Sequence, residues 1–369
     1  MNFIVRNINQ LCKKERKKKG SVLLRIRKFL LFILLFVTGC FCLYLYGEKN
    51  HYLREVADKR NFLIGASVSA SPFLHDDKYK TILKNEFNLL TIENDMKFSR
   101  IHPQRNTYDF SLPDLMVNFA EENDMKVRGH TLVWHHSNPD WLSKEKYSKE
   151  ELSLILKNHI QTVVKHYGGK IYAWDVVNEA FNDDGTLRNN IWLQTIGPEY
   201  IELAFRWAHD ADPNALLFYN DYSNEGINQK SNAIFRMLED FMKRGVPIDG
   251  VGFQMHSDIM SPKDEEKIKE NINRYKLIGL EVHITELDIA IQNSDKPYKK
   301  RLQQQAEMYS KILDVCLLYS NCTAMVTWGV TDKYSWIPEY SGQPDAPLLF
   351  DRDYEQKLSY KSIYGKLKK

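Results

Sequence analysis

The stretch Ile171-Tyr172-Ala173-Trp174-Asp175-Val176-Val177-Asn178-Glu179 sets the reading of this chain. Apolar and β-branched residues dominate it, as in a strand buried on both faces, yet it ends on an acid. A second run, Glu281-Val282-His283-Ile284-Thr285-Glu286-Leu287-Asp288, has the same character and also carries a glutamate near its end. Carboxylic acids are rarely buried without a partner, so packing offers no reason for either. Two carboxylates brought together are the minimum equipment for acid and nucleophilic chemistry on a glycosidic bond.

Working outward, similar runs occur at Leu63–Ser69, Leu89–Asn94, Lys126–Trp134, Leu216–Tyr222, Gly250–His256 and Ala324–Thr331. With the first two, eight strands are predicted. Between them lie stretches with apolar residues at helical spacing, among them Glu151–His166, Tyr200–Asp210, Asn228–Arg244, Pro262–Lys276 and Tyr298–Tyr319. Strand alternating with helix calls for a parallel sheet, and eight repeats over residues 53–369 fit a single (β/α)8 TIM barrel. The rival is a doubly wound open sheet. The segment after the first strand, Gly65-Ala66-Ser67-Val68-Ser69, lacks the glycine pattern that cradles a nucleotide phosphate, which argues against that rival.

In such a barrel the site forms where the strands end. Those ends supply Glu93, Asn94 and Lys97; His130 and Trp134; Asn178 and Glu179; Asn220 and Tyr222; Gln254 and His256; Glu286 and Asp288; and Trp328. Each alone has a dull explanation, since a Trp is usually core and an Asn usually a turn former. Together they are hard to assign to packing. Indole faces stack on pyranose rings while amides, imidazoles and carboxylates bond the hydroxyls, so the mixture fits a polysaccharide cleft. Metal binding is not expected, because His135 and His136 are adjacent and should face different ways and no ligand motif occurs. No G-x-S-x-G elbow marks a serine nucleophile, and no cofactor is implied.

Four ordered motifs, Gly129-His130-Thr131-Leu132-Val133-Trp134-His135, Trp174 to Ala180, Ile284-Thr285-Glu286-Leu287-Asp288 and Thr327 to Asp332 with Ser335-Trp336, resemble those of family-10 glycoside hydrolases, the endo-β-1,4-xylanases. Glu93-Asn94-Asp95-Met96-Lys97 and Gln254-Met255-His256 extend the likeness. The resemblance implies retaining hydrolysis of xylan, with Glu179 as general acid and base and Glu286 as nucleophile. It implies that His256 and Asp288 orient Glu286, that Asn178, Gln254 and His130 contact the sugar at the cleavage point, and that Glu93, Asn94 and Lys97 hold the next sugar outward. Trp134, Trp328 and Trp336 would wall the cleft. Two positions depart from the family pattern, Phe98 where it usually has Trp and Ser137 where it usually has Gln. The alternatives are another β-1,4-glycanase, acting on glucan or mannan, and a noncatalytic glycan-binding barrel.

The formal charge of the 369-residue chain, +3, hides a division. Residues 1–28 hold ten Lys and Arg against the single Glu15, so the remainder carries −6. An acidic body excludes nucleic acid as an expected partner. The run Phe29–Tyr46 is uncharged and about 27 Å long as a helix, close to the span of a bilayer core. The expected plan is a basic cytoplasmic segment, a transmembrane signal anchor at 29–46, a tether at 47–52 and a monomeric catalytic domain outside the membrane. A lipoprotein signal ending at Cys40, or simple secretion, are the alternatives. In the exported body Cys316 and Cys322 form a disulfide or two small buried residues.

Overall fold

The computed structural model describes residues 52–369. Eight parallel strands close into a barrel: β1 Leu63–Val68, β2 Leu89–Ile92, β3 Lys126–Trp134, β4 Ala173–Asn178, β5 Leu216–Asp221, β6 Gly250–Phe253, β7 Glu281–Leu287 and β8 Cys322–Thr327. Closure comes from β1 lying beside β8, with Leu63 opposite Ala324 and Ala66 opposite Thr327. The open-sheet alternative is thereby excluded. A ring of helices covers the strands, which is why β2 and β6 are buried along their whole length.

The helices follow from local sequence. Lys149–His166 buries Leu152, Leu156, Ile160, Val163 and Val164, one stripe at helical spacing against the sheet. Its start is fixed by a capping box, in which the Glu151 N–H donates to Ser148 Oγ and the Ser148 N–H to Glu151 Oε2. Gln229–Lys243 begins in the same way on Asn228 and Ser231. The disulfide Cys316–Cys322 joins the end of helix Tyr298–Leu317 to the first residue of β8.

Several apolar runs overshoot their strands. The backbone leaves β4 at Glu179 and β6 before Met255, both at positive φ, and it turns after β8 at Gly329. Polar rim residues stay buried because they face the cleft, so their sequence reads as strand for longer than the ladder lasts.

Inside the barrel, Arg128 from β3 reaches across to His283 of β7, at 2.6 Å, and pairs with Asp175 of β4. Arg128 and Asp175 are almost wholly buried. Asp175 and Asn178 both face the interior although they are three apart, because the register shifts between Asp175 and Val177. Burial alone would raise the Asp175 carboxyl, but the Arg128 charge and the His130 hydrogen bond hold it below its usual range.

The start of the domain is tied to the opening end of the strands. Arg54 donates to the carbonyls of Lys84, Asn123 and Asp124, just ahead of β2 and β3. Glu86 Oε2 accepts from the Leu53 N–H and the Tyr360 hydroxyl, both at 2.8 Å, and Arg60 donates to the Leu367 carbonyl at 2.7 Å. First and last helices therefore meet there. Among the described residues no helix is long and apolar enough to cross a membrane. The basic segment, the run 29–46, Cys40 and most of the tether lie outside the described residues.

Gly129 is required by close approach, since a Cβ there would come within 2.2 Å of the Trp174 ring. Gly129→Ala is expected to cost about 3 kcal/mol through overpacking, read as a lowered urea midpoint. An unchanged midpoint would contradict this packing.

Candidate active site

A cleft of about 680 Å³ opens at the closing ends of the strands. Glu93, Asn94, Lys97, His130, Trp134, Asn178, Glu179, Tyr222, Gln254, His256, Glu286, Trp328 and Trp336 line it. Asp288 stands behind His256. The residues picked from the sequence are thus brought to one place, and Glu339 and Tyr340, which were not picked, join them.

Glu286 projects from β7 and both of its oxygens are held. The Asn220 side-chain amide donates to Oε1 at 2.8 Å, and His256 Nε2 lies 3.3 Å from Oε2. His256 Nδ1 is 2.9 Å from Asp288 Oδ1, while the Trp336 indole donates to Asp288 Oδ2 at 2.8 Å. Burial opposes a charge on His256. Asp288, by charge and hydrogen bond, and then Glu286 outweigh that penalty and push the imidazole up to about 10. Both ring nitrogens therefore donate at neutral pH, and Asp288 orients the ring against Glu286.

Glu179 is the first residue past β4, at φ 56°, in the left-handed region that non-glycine residues seldom adopt. Its N–H donates to the Asn220 carbonyl, and its own carbonyl accepts from Arg188 Nε at 3.1 Å. The next N–H, of Ala180, donates to the Tyr219 hydroxyl, which donates to Asp221. The Glu179 carboxylate accepts from the Trp134 indole at 3.0 Å, from Gln254 Nε2 at 2.9 Å and from Asn178 Nδ2 at 3.3 Å. Asn178 in turn accepts from Asn220 at 2.9 Å. One chain of amides therefore runs from Glu179 through Asn178 and Asn220 to Glu286.

On one side of this pair Glu93 accepts from Ser69 and Asn94, and Lys97 donates to Asn94 at 2.8 Å beneath the Trp134 ring. Burial lowers Lys97, although Glu286, Glu93 and Glu179 pull the other way. Burial raises Glu93 against the bond from Ser69, the charge of Lys97 and the bond from Asn94. His130, paired through Nδ1 with Asp175 at 2.9 Å, links the cleft to the ion pair inside the barrel, and Trp328 meets it edge to face. The His130–Thr131 peptide is cis.

On the other side, Arg188 donates to the Tyr222 hydroxyl at 2.7 Å, and the buried Lys230 sits under the Tyr222 ring while pairing with Asp221 at 2.7 Å. Burial pushes Asp221 up to about 7 against the pull of Lys230. Arg188 and Lys230 were missed because nothing in their local sequence marks them. Asn220 was noted as a strand end, but its central place depends on partners from two other strands, β4 and β7.

One expectation is corrected, and the two departures from the family pattern are placed. His135 and His136 do not face different ways: their rings lie 4.0 Å apart, because the chain has left β3 and turns at Ser137, φ 54°. Phe98 is buried, stacked 3.6 Å from the His159 ring. Ser137 is absent from the cleft lining, and its carbonyl accepts from the Ser99 N–H. Neither departure from the family pattern therefore reaches the cleft. Among the described residues no group of His, Cys, Asp and Glu is placed to hold a metal ion.

The sequence profile of glycosyl hydrolase family 10 matches residues 52–366. Endo-1,4-β-xylanase B of Thermotoga neapolitana is 45% identical over 335 residues, covering 90% of this chain and 95% of that one. The β-1,4-xylanase of Dictyoglomus thermophilum is 41% identical, covering 86% and 91%. The crystal structure of xylanase 10B from Thermotoga petrophila RKU-1 in complex with xylobiose superposes with a TM-score of 0.84 at 45% identity, covering 86% and 98%.

The raised folded pKa of His256 means that its charge stabilises the fold fully below the unfolded value near 6.5 and that this contribution fades as pH rises toward about 10. Nitrogen NMR of labelled histidine is expected to find this ring still an imidazolium at pH 8. A neutral ring at pH 8 would refute the bonding described.

Proposed function

The chain belongs to glycosyl hydrolase family 10, and from that premise we propose that this endo-1,4-β-xylanase cuts xylan with Glu286 as nucleophile and Glu179 as acid and base. The observation that carries these roles is the junction of the two carboxylates through Asn178 and Asn220 in one cleft. Glu286, with its lone pairs directed by Asn220 and His256, attacks the anomeric carbon. Glu179 gives its proton to the departing oxygen. In the second half Glu179 takes a proton from water, which attacks the same carbon and frees Glu286, so configuration is retained.

The surroundings support an orientation for the chain. Tyr222 is tied by Arg188 to the backbone of Glu179 and so stands on the side of the departing sugar. Its ring, held over Lys230, offers that sugar a flat apolar face. Asn178 lies between the two carboxylates, where it bonds the 2-hydroxyl as positive charge develops. Glu93, Asn94 and Lys97 take the next sugar on the retained side. Trp328 and Trp336 occupy the space that the hydroxymethyl group of glucose would need, and Asp288 fixes Trp336 there. This favours xylose over the glucan alternative, and a barrel that kept both carboxylates in one hydrogen-bonded chain is poorly explained as a mere glycan receptor.

We further propose that the catalytic domain is a monomer tethered outside the membrane by residues 29–46. The uncharged run and the basic segment before it support this reading. Carbonate extraction of native membranes followed by N-terminal mass spectrometry tests it: a soluble, cleaved protein would refute the anchor.

Glu286→Ala is expected to abolish hydrolysis of xylan. Glu179→Ala should slow it by about 10² to 10⁴-fold yet spare the first step on aryl xylosides, whose leaving group needs no proton. Asn220→Asp, which sets a carboxylate against Glu286, should lower kcat by about 100-fold without a matching change in thermal midpoint. Steady-state rates with xylan and carboxymethylcellulose complete the test. A preference for cellulose would overturn the xylan assignment.

A further inference from the structure

We propose that a second cavity, sharing the wall of the cleft at Trp336, seats a neutral sugar branch carried by the xylan chain being cut. The proposal rests on the xylanase reading of the cleft. The cavity measures about 750 Å³, enough for one ring and its hydroxyl contacts, and is enclosed by the segments that follow β5, β6, β7 and β8. His256, Trp336 and Tyr340 line both spaces, so a sugar lying against Trp336 in the cleft can pass a branch around the indole without leaving its place.

The lining has the chemistry of a sugar site. Glu225 is 4% exposed, and its Oε1 is paired with Lys263 at 2.6 Å, but its Oε2 has no hydrogen-bond partner. A desolvated carboxylate oxygen without a donor costs free energy, which a hydroxyl seated in the cavity would recover once the carboxylate turns toward it. Asn228 and Gln292 add amide groups to the lining, while Tyr340, 80% exposed and 5.1 Å from the Trp336 ring, adds an aromatic face. A metal ion is a poor occupant, since no suitable ligand group is assembled among the described residues.

Charge selects among branches. Each cation on the lining is already committed to a carboxylate on it: Lys263 to Glu225, Lys267 to Asp264 at 3.7 Å and His256 to Asp288 at 2.9 Å. Asp258 adds a further acid. A uronate would enter with no free cation to receive it and one carboxylate in excess, whereas a pentose meets only acceptors and amides.

Glu225→Ala removes that carboxylate, and Ser261→Trp puts bulk on the lining of the cavity without touching the cleft. For both variants kcat/KM is expected to fall about tenfold on xylotetraose bearing one arabinose branch and to stay within about twofold on linear xylohexaose. On the glucuronate-branched equivalent Ser261→Trp should match the wild type, while Glu225→Ala, which frees Lys263, should show no loss and a gain of up to about tenfold. Equal losses on linear and branched substrates, no loss at all, or a loss as large with glucuronate would each overturn the proposal. So would a loss confined to long unbranched xylan, which would assign the cavity to a separate chain. Should the wild type fail on linear xylohexaose, the xylanase reading falls instead. Calorimetry of the arabinose-branched tetraose with Glu286→Ala, with and without Glu225→Ala, then judges the cavity alone, and equal affinities would refute it.

Discussion

The side-chain amide of Asn220 is the joint on which the site depends. Its two N–H groups go to Asn178 Oδ1 and Glu286 Oε1, and its oxygen accepts from Thr285 at 2.7 Å. Three strands are thereby referred to one planar group that is fully buried and has no spare hydrogen-bonding capacity facing water. The neighbouring strand makes room for it: a Cβ at Gly252, opposite Asn220 in the ladder, would stand 2.1 Å from Asn220 Oδ1. A backbone with no side chain at that one position is thus a condition for placing Glu286.

The same logic extends down the barrel axis. His130 bonds Asp175, Asp175 pairs with Arg128, and Arg128 meets His283, so the floor of the cleft is continuous with a buried polar core. Replacing such a core by apolar residues need not weaken the fold. What it supplies here is direction, because each group is oriented by the next and His130 cannot rotate without breaking the series. Strain at Glu179 is met in the same manner. A left-handed glutamate costs about 1 to 2 kcal/mol, and the bonds that its backbone makes with Arg188 and Asn220, and that the Ala180 N–H makes to Tyr219, hold it in place.

Much of this was legible in the sequence. Eight apolar runs alternating with amphipathic stretches were enough for the barrel, because a parallel sheet covered on both faces leaves that trace. The rim was legible for the opposite reason: acids, amides and indoles at the ends of buried runs have no packing rationale. What escaped was whatever depends on partners from distant strands. Lys230 and Arg188 sit in ordinary polar surroundings in one dimension, and their task appears only when Tyr222 and Asp221 are brought to them. Register shifts in β3 and β4 also defeat counting by alternation, so the inward faces of Asp175 and Asn178 could not both be read from period two. The adjacent His135 and His136 misled for a related reason, since the expectation assumed an extended chain where the backbone bends.

The meeting of the first and last helices has a practical consequence. Arg54 is clasped by carbonyls just before β2 and β3, and Arg60 holds the carbonyl of Leu367, so both ends of the domain lie at the opening ends of the strands. The cleft is at the closing ends. A resin, a scaffold or a second enzyme coupled directly to either end of the domain of residues 52–369 would therefore leave the mouth of the barrel facing outward, open to a polymer too large to diffuse between the protein and its support.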